Sequence, residues 1–158
     1  MARPEKTGDA MKKQKKTIDL ISLTKTKSDI PRSEIKSSDS AAEYARQFYF
    51  EDIGIYESVF LLLLNSRNET IGYAKISQGG VAGSVVDLKI IAKYISDTLA
   101  RGIILFHNHP SGNLLPSSKD RNVTQKVKEV ARILDSALLD HIIITESGHY
   151  SFSDEGLL

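Results

Sequence analysis

Apolar positions along this chain follow two different periods, and the changes between them mark the elements. Ser58 to Leu64 is a short, almost unbroken apolar run, closed by the polar cluster Asn65, Ser66, Arg67 and Asn68. Thr70 to Ser77 resumes as a second strand, so the pair predicts a hairpin with a longer loop. From Asp87 the period becomes helical, with Leu88, Ile91, Ile95 and Leu99 on one stripe and Gly102 placed to cap the C-terminus. Ile103 to His107 is apolar until its last residue, which predicts a central strand. Ser117 then opens the longest helix, with an expected buried stripe of Val123, Val127, Val130, Leu134 and Leu138. Another apolar strand runs from His141 to Thr145, turns at Gly148 and is answered by Tyr150 to Phe152. Upstream, Ser40 with Glu43 has the form of a capping box, and Ala41, Ala45 and Phe48 share a helical stripe. Interleaved strands and helices predict a mixed α/β domain over residues 37–158, its central β-sheet flanked by helices. Residues 1–36 lack sustained periodicity and are expected to form a flexible basic lead-in, with a short strand at Ile18–Leu23.

The 158 residues include 21 Lys or Arg, 20 Asp or Glu, and no Cys. The lack of cysteine excludes a disulfide framework, a thiol nucleophile, an iron–sulfur cluster and every zinc site built on Cys, the zinc deaminases included. Apolar runs fall far short of the ~20 residues that span a bilayer, and residues 1–16 are polar and lysine-rich. A soluble cytoplasmic protein with no membrane partner is expected. Charge is uneven: residues 1–36 carry ten basic against five acidic side chains, leaving 11 against 15 in the remainder. The run Lys12, Lys13, Lys15 and Lys16 has the charge of a DNA-contacting arm. No stacking aromatics accompany it, so a solvated tail is the preferred reading.

The informative loop reads His107, Asn108, His109, Pro110, Ser111, Gly112, then Pro116, Ser117 and Asp120. Alternate residues at a strand end point to the same side, so His107 and His109 can present two imidazoles together. Asp120 falls in the first turn of the following helix. Two His nitrogens and one carboxylate oxygen leave a tetrahedral zinc one open position for water, as in catalytic sites. Each residue alone has a plainer explanation. Ser117 followed by Asp120 is a sound helix start, and a strand-end His often serves only as a hydrogen-bonding group. It is the combination that points to a metal. No His-Glu-x-x-His helix and no phosphate-cradling Gly-rich loop with Lys appear. Gln78-Gly79-Gly80 is read as a bulge or turn bordering the cleft, and His149 as an exposed turn residue. Asp140 and His141 are expected to hold a helix-to-strand corner, without a catalytic part.

The pattern His, any residue, His, seven residues, Ser, two residues, Asp at His107, His109, Ser117 and Asp120 matches the JAMM motif of the MPN metalloprotease fold. The longer string resembles the bacterial RadC family, often labelled DNA repair proteins. Pro110-Ser111-Gly112, Pro116-Ser117, Ile76 to Gly80 and Asp140-His141 carry that resemblance, which runs from about Ile35 to the C-terminus. It implies an MPN, cytidine-deaminase-like fold and a Zn2+ ion held by His107, His109 and Asp120. It also implies a catalytic Glu in the first core strand, in the pattern Glu, two residues, Phe, which Glu57 fits with Phe60; from the residues alone, Glu51 and Asp52 are not separable from it. In the implied chemistry Glu57 shuttles the proton of a zinc-activated water, and Ser117 stabilises the oxyanion. The reaction is hydrolysis of a peptide, amide or isopeptide bond in an unidentified protein or peptide substrate. Longer RadC proteins carry a helix-hairpin-helix region ahead of this domain, and residues 1–36 are too short to hold it. The alternative expectation is a non-catalytic DNA-associated or protein-interaction module with a structural zinc site.

Overall fold

The computed structural model describes residues 18, 20, 24–49, 53–79 and 85–158. Within them, the two most continuous apolar runs take the middle of a five-stranded sheet. β1 (Ser58–Leu64) and β3 (Gly102–Asn108) lie side by side and antiparallel, with all seven residues of each buried. β2 (Thr70–Gln78) pairs antiparallel with the outer side of β1, closing the expected hairpin. β4 (Ala137–Ile144) runs parallel to β3, and the short β5 (His149–Ser151) completes the order β2-β1-β3-β4-β5. The mixed sheet flanked by helices agrees with the expected class.

Central strands buried on both sides require a layer on each. α1 (Ser38–Tyr49) covers one face, packing Ala41, Ala45 and Phe48 against Phe60, Leu62, Ile104, Phe106 and Ile142. The Phe48 ring stacks on Tyr73 with centroids 4.3 Å apart and meets Phe106 edge-on. α2 (Leu88–Thr98) and α3 (Ser118–Ile133) cover the other face, where Ile91, Ile95, Val127 and Ala131 pack on Leu61, Leu63, Ile103 and Leu105. Successive strand residues alternate between faces. At the end of β3, His107 therefore follows Leu105 toward the α2/α3 layer, and Asn108 follows Phe106 toward α1. That parity divides the chemistry described below.

Four boundaries differ from the sequence pattern. Gly102 does not cap α2; Leu99 does, in a left-handed conformation at φ 54, and Gly102 starts β3. A Cβ on Gly102 would stand 2.8 Å from Leu139 Cδ1, so the glycine serves close approach across the sheet. Leu99 shares the spacing of the buried stripe yet is 80% exposed. Leu138 belongs to β4 instead of α3, and Asp135 at φ 53 turns the chain between them. The buried stripe of α3 is Thr124, Val127 and Ala131, which places a polar residue where the apolar pattern has none. α1 begins before the Ser40–Glu43 box, because Ser37 and Ser40 exchange side-chain-to-backbone bonds of 3.1 and 2.9 Å.

The expected lead-in also reaches the domain sooner than residue 37. Glu34 bridges Glu69, Ser33 N–H donates to Thr70 Oγ1 at 3.0 Å, and Ile35 is buried in the α1-side core. Ile18 and Leu20 are exposed and in no regular element. The rest of the strand expected there, and the lysine run, lie outside the described residues.

The left-handed Leu99 provides a test of the backbone account. Leu99→Gly is expected to stabilise the domain by roughly 0.5–1 kcal/mol, since glycine removes the Cβ conflict and little buried area is lost. Urea denaturation should show a higher midpoint at unchanged slope. A lower midpoint would mean that the Leu99 side chain contributes packing after all.

Candidate metal centre

The centre forms where the C-terminal end of β3 meets the N-terminus of α3. Ser117 caps α3 from an extended conformation: its hydroxyl accepts from Asp120 N–H, and its own N–H donates to the Asp120 carboxylate. Asp120 stands four residues before Thr124 on the same stripe, so the buried side of α3 carries its carboxylate to the sheet end. His107, pointing toward the same layer, brings Nε2 within 3.3 Å of Asp120 Oδ1. His109 lies just beyond β3, its N–H bonded to the Ile144 carbonyl, and its Nε2 stands 3.6 Å from Asp120 Oδ2. The two Nε2 atoms are 2.9 Å apart.

Both imidazoles have their other nitrogen engaged away from this point. His109 Nδ1 is 2.5 Å from the Asn113 carbonyl, which only accepts, so Nδ1 carries the proton. His107 Nδ1 is 2.7 Å from His141 Nε2. The inward Nε2 atoms thus converge on a carboxylate, and together the three groups are the metal-capable cluster found among the described residues. A tetrahedral ion with bonds of about 2.0–2.1 Å sets its ligand atoms about 3.3 Å apart. Separations of 2.9, 3.3 and 3.6 Å bracket that edge.

Electrostatics favour a bound cation. Burial works against the charge on Asp120, but the His107 and His109 rings 3.3 and 3.6 Å away prevail and hold its carboxyl far below the usual range. The Asp120 hydrogen bond raises His109 above the ordinary histidine value, with burial opposing it. His141 is buried completely, and that burial, with His107 beside it, pushes its pKa well down and keeps it neutral.

Glu57 directly precedes β1, half-buried, with its carbonyl accepting from Gly79 N–H at 2.9 Å. Its charge contributes to the upward shift of His109. Glu57, His107 and Asp120 line one cleft of about 350 Å³, whose walls include Val59, Val86, Leu88, Leu105 and Val123. Ser117 lies at its edge of the site with the hydroxyl turned to Asp120 Oδ2 at 2.7 Å, so as folded it orients that carboxylate.

Residues 35–157 match the family model of the RadC-like JAB domain, 123 of 158 positions. The chain belongs to the RadC family. A UPF0758 protein of Flavobacterium johnsoniae is 47% identical to it over 102 residues, 65% of this chain and 44% of that one. One from Porphyromonas gingivalis is 44% identical over 103 residues, covering 65% and 45%. One from Streptococcus thermophilus is 33% identical over 145 residues, covering 89% and 63%. This RadC chain thus spans roughly half the length of the curated relatives it matches, and their names state neither substrate nor activity. The domain type is that of JAMM-like metallohydrolases. No helix among the described residues is long and apolar enough to cross a membrane.

Three contributors escaped the sequence reading. Asn108, between the two histidines, is fully buried on the α1 side. Its amide donates to the carbonyls of Ile53 and Tyr56 at 2.7 Å each and accepts from Ser58 N–H at 2.8 Å. It clamps the segment that carries Glu57. Thr124 and His141 extend the centre inward, with Thr124 Oγ1 2.7 Å from His141 Nδ1. Asp140 and His141 were expected to hold a structural corner together; the Asp140 carboxylate does so through Ser151, Ser153 and the His141 N–H, while the His141 side chain turns to His107 and Thr124. A polar residue inside an apolar stripe was the available signal for Thr124.

Asn108→Ala is expected to cost roughly 2–4 kcal/mol, since it strands the buried Ser58 N–H and two part-buried carbonyls. A denaturation midpoint within error of the parent would show that the clamp is dispensable. Metal uptake must also displace the proton held on His109. Affinity should therefore fall as pH drops through the raised pKa of His109, beginning above about 6.5, while Asp120 stays ionised and adds no slope. Chelator-competition titrations check this; affinity constant across that span would remove His109 from the ligand set.

Proposed function

We propose that this RadC domain is a zinc-dependent hydrolase of amide bonds, acting on a peptide or isopeptide linkage in a protein or peptide substrate. The observation that carries the reading is the convergence of two inward imidazole nitrogens and an ionised carboxylate beside an open cleft that holds a second carboxylate, Glu57. A purely structural zinc site is usually closed by four protein ligands. Three ligands next to a cleft have the form of a site that keeps one position for substrate or water.

His107, His109 and Asp120 would hold the ion. Two imidazoles and one carboxylate suit Zn2+ in charge and donor type, and Nδ1 engagement on each ring leaves the correct nitrogen inward. Bound there, zinc supplies a Lewis acid that activates water and polarises a carbonyl near neutral pH. Glu57 accepts one proton of the attacking water and returns it to the nitrogen as the carbon–nitrogen bond breaks, so that the amine departs as a neutral group and the acyl half keeps the water oxygen. Ser117 orients Asp120 through its hydroxyl and, when that hydroxyl turns outward, donates to the oxygen on which negative charge develops. The apolar wall of Val59, Leu105 and Val123 excludes water from one side of the cleft and strengthens each of these interactions.

His109→Ala is expected to abolish zinc binding. Glu57→Gln should keep zinc at parental affinity and lose peptide or isopeptide hydrolysis by a factor on the order of 100 or more. Ser117→Ala should keep zinc and lose turnover by about 100-fold, the usual cost of one oxyanion donor. Metal analysis together with a peptide and isopeptide substrate screen reads all three. Full hydrolysis by the Glu57 variant would remove the proton shuttle, and a parent protein that takes up no zinc would end the enzyme reading.

A further inference from the structure

We propose that Thr124 and His141 are positioning residues that lock His107 as an Nε2 donor and couple it to the helix bearing Asp120. This rests on the metal-centre reading but goes beyond the ligand set, because neither side chain belongs to the His107, His109 and Asp120 cluster.

The argument follows the protons. Thr124 Oγ1 stands 2.7 Å from the Asp120 carbonyl and 2.7 Å from His141 Nδ1. His141 Nε2 stands 2.7 Å from His107 Nδ1. Thr124 has one proton to give, and a carbonyl can only accept. If the hydroxyl proton went to His141, an oxygen lone pair would face the carbonyl oxygen at 2.7 Å, which is repulsive. Every contact is attractive in one direction only. Thr124 O–H donates to the Asp120 carbonyl, His141 Nδ1–H donates to Thr124, and His107 Nδ1–H donates to His141 Nε2. The reverse order would put a proton on His107 Nε2, where the ligand lone pair belongs.

The chain is sealed from water, with Thr124, His107 and His141 at 0, 3 and 2% exposure. Solvent competes little for the two bonds made by His141, so their direction is held strongly. The Phe152 ring lies nearly parallel to His141 with centroids 4.7 Å apart and fixes the plane of the imidazole. The usual partner of a metal-binding His is a carboxylate, a backbone carbonyl or water. Here it is a second, neutral imidazole, itself oriented by a helix residue one turn beyond Asp120. The consequence is a closed ring: strand β3, strand β4 and helix α3 are joined by these bonds on one side, and β3 and α3 meet again at the ligand cluster on the other.

The test uses the full chain and four variants. Thr124→Val keeps the shape and removes the hydroxyl, and Thr124→Ser restores it. His141→Phe keeps the stack on Phe152 and removes the acceptor, and His141→Gln supplies an acceptor again. Zinc affinity by competition with a chromophoric chelator should fall about 10–100-fold in Thr124→Val and His141→Phe. It should recover in Thr124→Ser and in part in His141→Gln. Nitrogen-15 shifts of the zinc-free protein provide the second readout, because they report which ring nitrogen carries the proton. The parent should show Nδ1–H on both His107 and His109. In His141→Phe the His107 tautomer should become mixed, while His109, held by Asn113, stays unchanged as an internal control. Unaltered zinc affinity and tautomer in folded Thr124→Val and His141→Phe proteins would assign these residues to core packing and overturn the proposal. Absence of zinc binding by the parent would sink the enzyme reading, and the tautomer readout would still decide the proton order.

Discussion

Two imidazole nitrogens 2.9 Å apart beside a carboxylate favour positive charge between them, whether a proton or a metal ion. The rest of the molecule is arranged around that demand. β3 delivers His107 from the middle of the sheet, where every residue of the strand is buried and its backbone is paired on both sides. α3 delivers Asp120 from a capped first turn, where the helix N-terminus stabilises its negative charge. Asn113 and His141 occupy the outward nitrogens and keep the inward ones free for a cation.

The faces of the sheet divide the labour at one strand end. His107 turns to the α2/α3 layer and joins the polar chain through His141 and Thr124. Asn108, one residue on, turns to the α1 layer and secures the segment from Ile53 to Ser58. Glu57 is carried on that segment, and its carbonyl is tied to Gly79 at the exit of β2. Adjacent residues of a strand thus fix the metal side and the acid side of the cleft at once. A polar network this deeply buried is costly unless its members are bonded, and the side chains of His107, Asn108, Thr124 and His141 all are.

Much of this was legible in the chain. β1 matched its apolar run residue for residue, because a strand buried on both faces leaves a continuous signal. The His-x-His and Ser-x-x-Asp spacings were readable because strand alternation and helix capping are local rules. What stayed hidden depends on tertiary pairing. Gly102 has the look of a helix cap until Leu139 is seen against it. Leu99 continues a helical stripe on spacing alone, though nothing covers it. Thr124 and His141 lie 17 residues apart in sequence, and their bond appears only once α3 has packed on β4. Asn108 had no local signature, since all its partners lie at least 50 residues upstream.

The central claim concerns coordination, and X-ray absorption at the zinc edge of zinc-loaded protein addresses it most directly. The account predicts a four-coordinate ion with light-atom ligands at about 2.0–2.1 Å and the multiple-scattering signature of two imidazoles. An absorption spectrum without imidazole scattering, or one matching hydrated zinc alone, would contradict it.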